Sequence, residues 1–207
     1  VAHAKDKHVL HAMGQVLGEP NQRMALLLSA TMMFAAFTII PYITLYLQNN
    51  QIMAPNEIPW LYFCGGVVTL FSGRWVGGLT DRLGKRQTFQ RALLFSIIPM
   101  FAITLIETMP LPFVLLITTA LLFAMKARMI PGMALLTSAA NPKFRGTFMS
   151  LNGAVQSFSM GIAAWVGGML LQNEPSGQVT HYWLCAVVAT SASLLAYVLA
   201  KRVSMHE

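Results

Sequence analysis

The fold class this sequence predicts is an all-α membrane protein with six transmembrane helices, and three observations predict it. Hydrophobic residues make up 56% of the 207 and charged residues only 10%, where soluble domains carry about 25% charged residues; the mean hydropathy is +0.58. The apolar residues gather in six runs, each near the ~20 residues a helix needs to cross ~30 Å of hydrocarbon. The cations sit between alternate runs, as the loops of a multi-pass chain require. The continuous apolar character fits helices rather than barrel strands, which show ~10-residue segments of alternating polarity.

Residues 1–22 are polar and mixed in charge. They read as a cytoplasmic, linker-like segment, and no signal peptide is expected before the first run. The chain opens on valine rather than methionine, as a fragment or a processed chain does. His8 and His11 stand i, i+3, but with His3 they keep no metal-pair spacing, and neither metal nor cofactor is expected.

The six-helix domain occupies 23–202, with a cytoplasmic tail at 203–207. Span 1, at 24–47, sets Thr31, Thr38, Tyr42, Tyr46 and Asn49 on one helical face. Pro41 removes a backbone donor there and bends or breaks the helix. Thr38 and Tyr42 read as cavity residues or, equally, as helix-packing and belt residues, and Tyr46 as part of the interfacial aromatic belt. Spans 2 and 3 fall at 58–79 and 89–106. Span 4, at 112–139, carries Lys126 and Arg128, which face opposite ways because two residues turn a helix by ~200°. Lys126 reads as a snorkelling residue in the cytoplasmic third. Span 5, at 147–171, has a stripe of small residues, Ser150, Gly153, Ser157, Gly161, Ala164 and Gly168, suited to close helix packing. A separate stripe holds Asn152, Gln156 and Ser159, of which Asn152 and Gln156 read as cavity residues or, alternatively, as groups that bond to neighbouring helices. Span 6 falls at 181–200.

Of the fourteen lysines and arginines, Lys5, Lys7 and Arg23 precede span 1. Arg82, Lys85 and Arg86 lie between spans 2 and 3 with Arg91 at the edge of that loop, Lys143 and Arg145 between spans 4 and 5, and Lys201 and Arg202 after span 6. The other three loops carry none, so both ends are expected in the cytoplasm. A net charge of +7 distributed this way points to a lipid bilayer and not to nucleic acid. Arg74, Lys126 and Arg128 remain within spans; Arg74 is expected to snorkel or to pair with Asp81. Cys64 and Cys185 lie in apolar runs without zinc or redox spacing and read as packing residues.

The strongest local signal is Gly77-Gly78-Leu79-Thr80-Asp81-Arg82-Leu83-Gly84-Lys85-Arg86, where spans 2 and 3 meet. Gly77 and Gly78 allow close helix approach. Gly84 can take a positive φ to turn the chain. Asp81 is a carboxylate amid cations, able to pair with them or to cap a helix N-terminus. The order Gly-x-Leu-x-Asp-Arg-x-Gly-Lys-Arg resembles the signature loop of the major facilitator superfamily, at the place between second and third spans where that family has it. Arg128-Met129-Ile130-Pro131-Gly132 is similar to the family's R-x-x-x-G motif in the fourth span of a half. Pro142-Lys143-Phe144-Arg145-Gly146 is similar to its P-x-x-x-R-G loop. The glycines of span 5 match the antiporter motif only loosely, since its Gly-Pro core is absent.

The resemblance implies one half of a twelve-helix fold and secondary transport by alternating access, with a small-molecule substrate bound between two halves. The polar head and the stretch Phe37-Thr38-Ile39-Ile40-Pro41-Tyr42, similar to the seventh span of drug and sugar efflux members, imply the C-terminal half. The N-terminal half is then the missing partner. It implies gating roles for Gly77, Asp81, Arg82, Gly84, Lys85 and Arg86, and substrate or charge contact for Arg128. Proton-coupled efflux from a bacterial inner (plasma) membrane is the expected activity. None of the seven acidic residues lies in mid-span, so a coupling carboxylate belongs to the other half. The same absence argues against a membrane enzyme. The alternative function is a non-transporting interaction or regulatory subunit.

Overall fold

The computed structural model describes residues 11–205; His3, His8, Lys5 and Lys7 lie outside them. Residues 11–18 are helical, with Val16 fully buried, so the linker-like head already carries structure there. Helix α1 follows over Pro20–Phe37, with proline in its first turn, where the missing N–H breaks no helical bond. The bend expected at Pro41 is a break. Ile40–Tyr42 forms a 3-10 turn and helix α2 resumes over Ile43–Asn49. The carbonyl of Ile39, at the break, accepts from Tyr42 N at 3.1 Å and from Tyr182 Oη at 2.8 Å. Side-chain donors of this kind re-satisfy backbone freed by proline in an apolar setting.

Helix α3 covers Ile58–Leu83 and α4 covers Lys85–Thr104. The loop expected between spans 2 and 3 is therefore a single residue, Gly84. Its φ of 86° and ψ of 148° fall in a region essentially reserved for glycine. Gly84 N closes α3 on Thr80 O at 2.9 Å, and Gly84 O opens α4 by accepting from Thr88 N at 3.1 Å. Helix α5 runs over Leu111–Ala139, a 3-10 turn over Pro142–Phe144, and α6 over Arg145–Leu170. A small antiparallel hairpin pairs β1, Gln172–Asn173, with β2, Val179–Thr180. Helix α7, Tyr182–Arg202, completes the chain.

Three helical segments are long and apolar enough to cross a membrane by length and composition: Pro20–Asn49, Leu111–Ala139 and Tyr182–Arg202. Helices α3, α4 and α6 are of membrane length too. Their windows are diluted by Trp60, Tyr62 and Arg74 in α3, by cations and glutamines in α4, and by glycine, serine, Asn152 and Gln156 in α6.

Helix α5 packs against α3 and α4, α1 packs against α6 and α7, and α4 against α7; α1 and α5 touch along the centre. Exchanging the first, second and third runs for the fourth, fifth and sixth leaves this set of neighbours unchanged. The arrangement is thus two three-helix repeats. Two asparagines tie the first run to the last. Asn21 donates to Ser204 O at 2.9 Å and accepts from Ser204 N at 2.7 Å. Asn50 donates to Val179 O at 3.0 Å and accepts from Val179 N at 2.8 Å. Each amide pairs with a backbone unit as a strand neighbour would.

The core has two layers. One, at the end that carries Gly84, includes Leu28, Met32, Phe89, Leu93, Leu135 and Phe148. The other, toward the hairpin, includes Ile39, Tyr46, Met100, Ile103, Leu121 and Tyr182. Between apolar helices in lipid, such packing is held by dispersion contacts rather than by the hydrophobic effect.

Candidate functional site

A cavity of about 330 Å³ opens midway along the bundle, lined by residues of α1, α3, α5, α6 and the turn at Ile40. Helices α4 and α7 contribute none of its lining. Met32, Met33, Met125, Met129 and Met160 supply much of the wall; methionine is flexible and polarizable and adapts to differently shaped apolar bodies. The polar lining is Thr69, Lys126, Arg128 and Gln156. An apolar pocket with a few convergent polar groups is the usual form of a small-molecule site.

Arg128 sits where the two core layers meet and is only 1% exposed. Its Nη1 donates to Ser193 Oγ at 3.3 Å and its Nη2 to Met32 O at 3.2 Å. Among the described residues no carboxylate pairs with it, so the guanidinium ties α5 to α7 and α1 through neutral acceptors. The chain comes close there because the next turn of α5 carries Gly132. A Cβ at that position would stand 2.7 Å from Met32 Sδ and 3.0 Å from Phe89 Cε2. Sequence reasoning found Arg128 but missed Ser193, whose only signal is a hydroxyl inside an apolar run.

Gln156 lines the cavity and donates to Ser29 Oγ at 3.0 Å, joining α6 to α1. Asn152, one turn away on α6, is 2% exposed, and its Oδ1 has no hydrogen-bond partner among the described residues. It does not line the cavity. Thr38 does not line it either: it is fully buried, and its hydroxyl donates to Phe34 O at 2.8 Å in its own helix. Tyr42 lies beside it on the seam between the α1 break and α6. There its hydroxyl donates to Ala164 O, and its ring and Thr38 O leave no room for a side chain at Gly167. The face of Thr38 and Tyr42 thus packs against α6 instead of the cavity. Tyr46 is not a belt residue: it is 9% exposed, donates to Ile106 O at 3.0 Å and lies against the Tyr182 ring.

The packing stripe expected on α6 is filled only toward the hairpin, where Ala164 O accepts from Tyr42 Oη and a side chain at Gly168 would meet the same hydroxyl. Ser150, Gly153, Ser157 and Gly161 are exposed, while Asn152 and Ser159 are buried. Gly77 and Gly78 have open space beside them, so they admit no close helix within this chain. Lys126 faces the cavity and is exposed. It stands 15 residues into the 29 of α5, at the middle of the helix.

Around Gly84 the cations act as ties. Lys85 Nζ donates to Ser138 Oγ at 2.6 Å, at the end of α5, and Arg86 Nη2 donates to Val203 O just beyond α7. Arg82 is exposed. Asp81 lies in the last turn of α3, exposed. It caps no helix and forms no ion pair among the described residues, with Arg74 or any other cation. A carboxylate at a helix C-terminus faces the negative end of the dipole, so its position is not stabilised by its own helix.

A sequence model of the Major Facilitator Superfamily matches residues 25–206. No curated protein matches the chain. The match runs through all the helices that build the cavity and through the Gly84 junction, and on that extent the chain belongs to the Major Facilitator Superfamily.

Proposed function

We propose that this chain is the C-terminal six-helix half of a twelve-helix secondary carrier. In this reading all six apolar runs cross the membrane, both ends are cytoplasmic, and the membrane is a bacterial inner membrane. The carrier belongs to the drug and sugar efflux branch and exports a small molecule by alternating access, coupled to protons. The observation that carries the reading is the mid-depth cavity walled by α1, α3, α5 and α6. Two repeats that share a central site are the architecture in which rocking exposes that site to alternate sides. The partner half would cover the exposed large apolar residues of α3 and α6, among them Phe63, Leu70, Phe158 and Trp165. Asp81, without an ion pair among the described residues, is then held for a group outside this half, and a coupling carboxylate belongs to that other half.

Proteoliposomes containing the full-length carrier test this with a panel of drugs and sugars, with and without a proton gradient. Gradient-dependent movement of at least one member is expected; gradient-independent fluxes across the panel would remove the coupling. Asp81→Asn is expected to lower transport about tenfold, the effect of losing one charge-assisted hydrogen bond. Insertion and folding should stay near wild type. An unchanged rate would remove Asp81 from the gating step.

A further inference from the structure

Lys126 is an ammonium at the middle of a membrane-length helix, and nothing among the described residues neutralises it. It is exposed and lines the cavity; among the described residues no carboxylate or other acceptor bonds to it. A lysine stem covers about one helical turn, ~5.4 Å. Ala139 lies 13 positions beyond Lys126, ~20 Å of helix, so the ammonium does not reach the end of α5. A charge at this depth is costly unless it faces a watery or ligand-filled space. The surroundings fit the second case. Methionines form the apolar wall, and Thr69 and Gln156 are the neutral polar groups. The other cation of the lining, Arg128, is turned into the core onto Met32 and Ser193. Arg128 adds positive potential behind the wall, and no lining residue is acidic.

We infer that Lys126 is the anion-recognising residue of this cavity, and that the substrate is an amphiphilic anion: a carboxylate, or an oxyanion of similar size, on an apolar or aromatic body. The methionine wall takes the apolar body. The ammonium takes the charge. This assigns Lys126 the substrate contact that the family resemblance gives to Arg128, and it rests on the carrier reading only for what happens after binding.

The test separates binding from transport. The full-length protein, purified in detergent, is titrated with anthracenecarboxylate and with its neutral carboxamide, following ligand fluorescence. Wild type is expected to prefer the carboxylate by about tenfold or more, the size of one charge-assisted hydrogen bond. Lys126→Gln should erase that preference, leaving carboxamide binding within about twofold. Lys126→Arg should keep most of it. Because Lys126 is exposed, these variants should elute and melt as wild type does, so lost binding is not lost fold. Equal binding of the two compounds by wild type, or a carboxylate preference that survives in Lys126→Gln, overturns the proposal. Proteoliposome flux of the same pair tests the carrier reading separately. Lysine-dependent binding without flux keeps the site and removes the carrier. Flux of neutral or cationic compounds without any carboxylate preference keeps the carrier and removes the site. Loss of all flux in Lys126→Gln with wild-type carboxylate binding assigns the lysine to a contact elsewhere in the carrier and also overturns the proposal.

Discussion

Helix α5 divides the molecule into a closed side and an open side, and Arg128 and Lys126 mark the two. Arg128 is buried, with its donors directed onto a serine hydroxyl and a backbone carbonyl. Lys126, two residues earlier, looks into a cavity and bonds to nothing in the described chain. Glycines divide the same way. Gly132 and Gly167 are pressed by neighbouring helices, whereas Gly77, Gly78, Gly153 and Gly161 face open space. Within one half of a carrier, then, small or polar residues at helical spacing do not identify a contact by themselves. They identify a face, and the neighbouring helix decides whether that face is filled here or left for another body.

The largest test of this division is Gly132→Leu. The new side chain would meet Met32 and Phe89, which are 2% and 0% exposed and have little room to retreat. Overpacking of this kind costs ~1–3 kcal/mol or more, so the thermal midpoint of the purified protein should fall by several degrees. Gly153→Leu, on the open side of α6, should leave that midpoint unmoved in this half. Equal losses from the two would erase the distinction between the sides.

Gly84→Ala comes next. The backbone there is in a region that an L side chain adopts at a cost of ~1–3 kcal/mol, and the residue is the whole connection between α3 and α4. Gly77→Ala, seven residues earlier in the same motif, meets nothing within 4 Å. It should be neutral, or stabilising by up to ~1 kcal/mol through helix propensity. Comparing denaturation midpoints of the two variants separates a glycine needed for its φ from one that stands beside an open face.

Much of this was legible in the sequence. The runs located every long helix because length and apolarity are local properties. Pro41 announced the break for the same reason, and Gly84 announced its turn. What the sequence could not show was which side of a helix another helix covers. In α6 the small stripe looked like the packed face, but most of it is open, while Asn152 and Ser159 are buried and Gln156 donates to Ser29 Oγ of α1. Thr38 and Tyr42 looked like cavity residues because they are polar, yet the break at Pro41 rotates them onto α6.

The smallest effects belong to the two cations themselves, and they differ in origin. Arg128 is desolvated and has no carboxylate partner in the described chain. Removing a charge from water costs several kcal/mol, which neutral hydrogen bonds return only in part. Arg128→Met fills nearly the same volume without that cost. It leaves Ser193 Oγ bonded to Ala189 O at 2.8 Å, so no buried hydroxyl is orphaned. The variant should be as stable as wild type, or more stable by ~1 kcal/mol. Lys126→Met removes a charge that already faces open space, so its stability should stay within ~0.5 kcal/mol of wild type. Thermal unfolding of both in one detergent reads the pair. A marked loss in Arg128→Met would make the guanidinium a structural tie rather than a charge retained for transport. A marked gain in Lys126→Met would mean that the lysine is desolvated and that the cavity is closed around it.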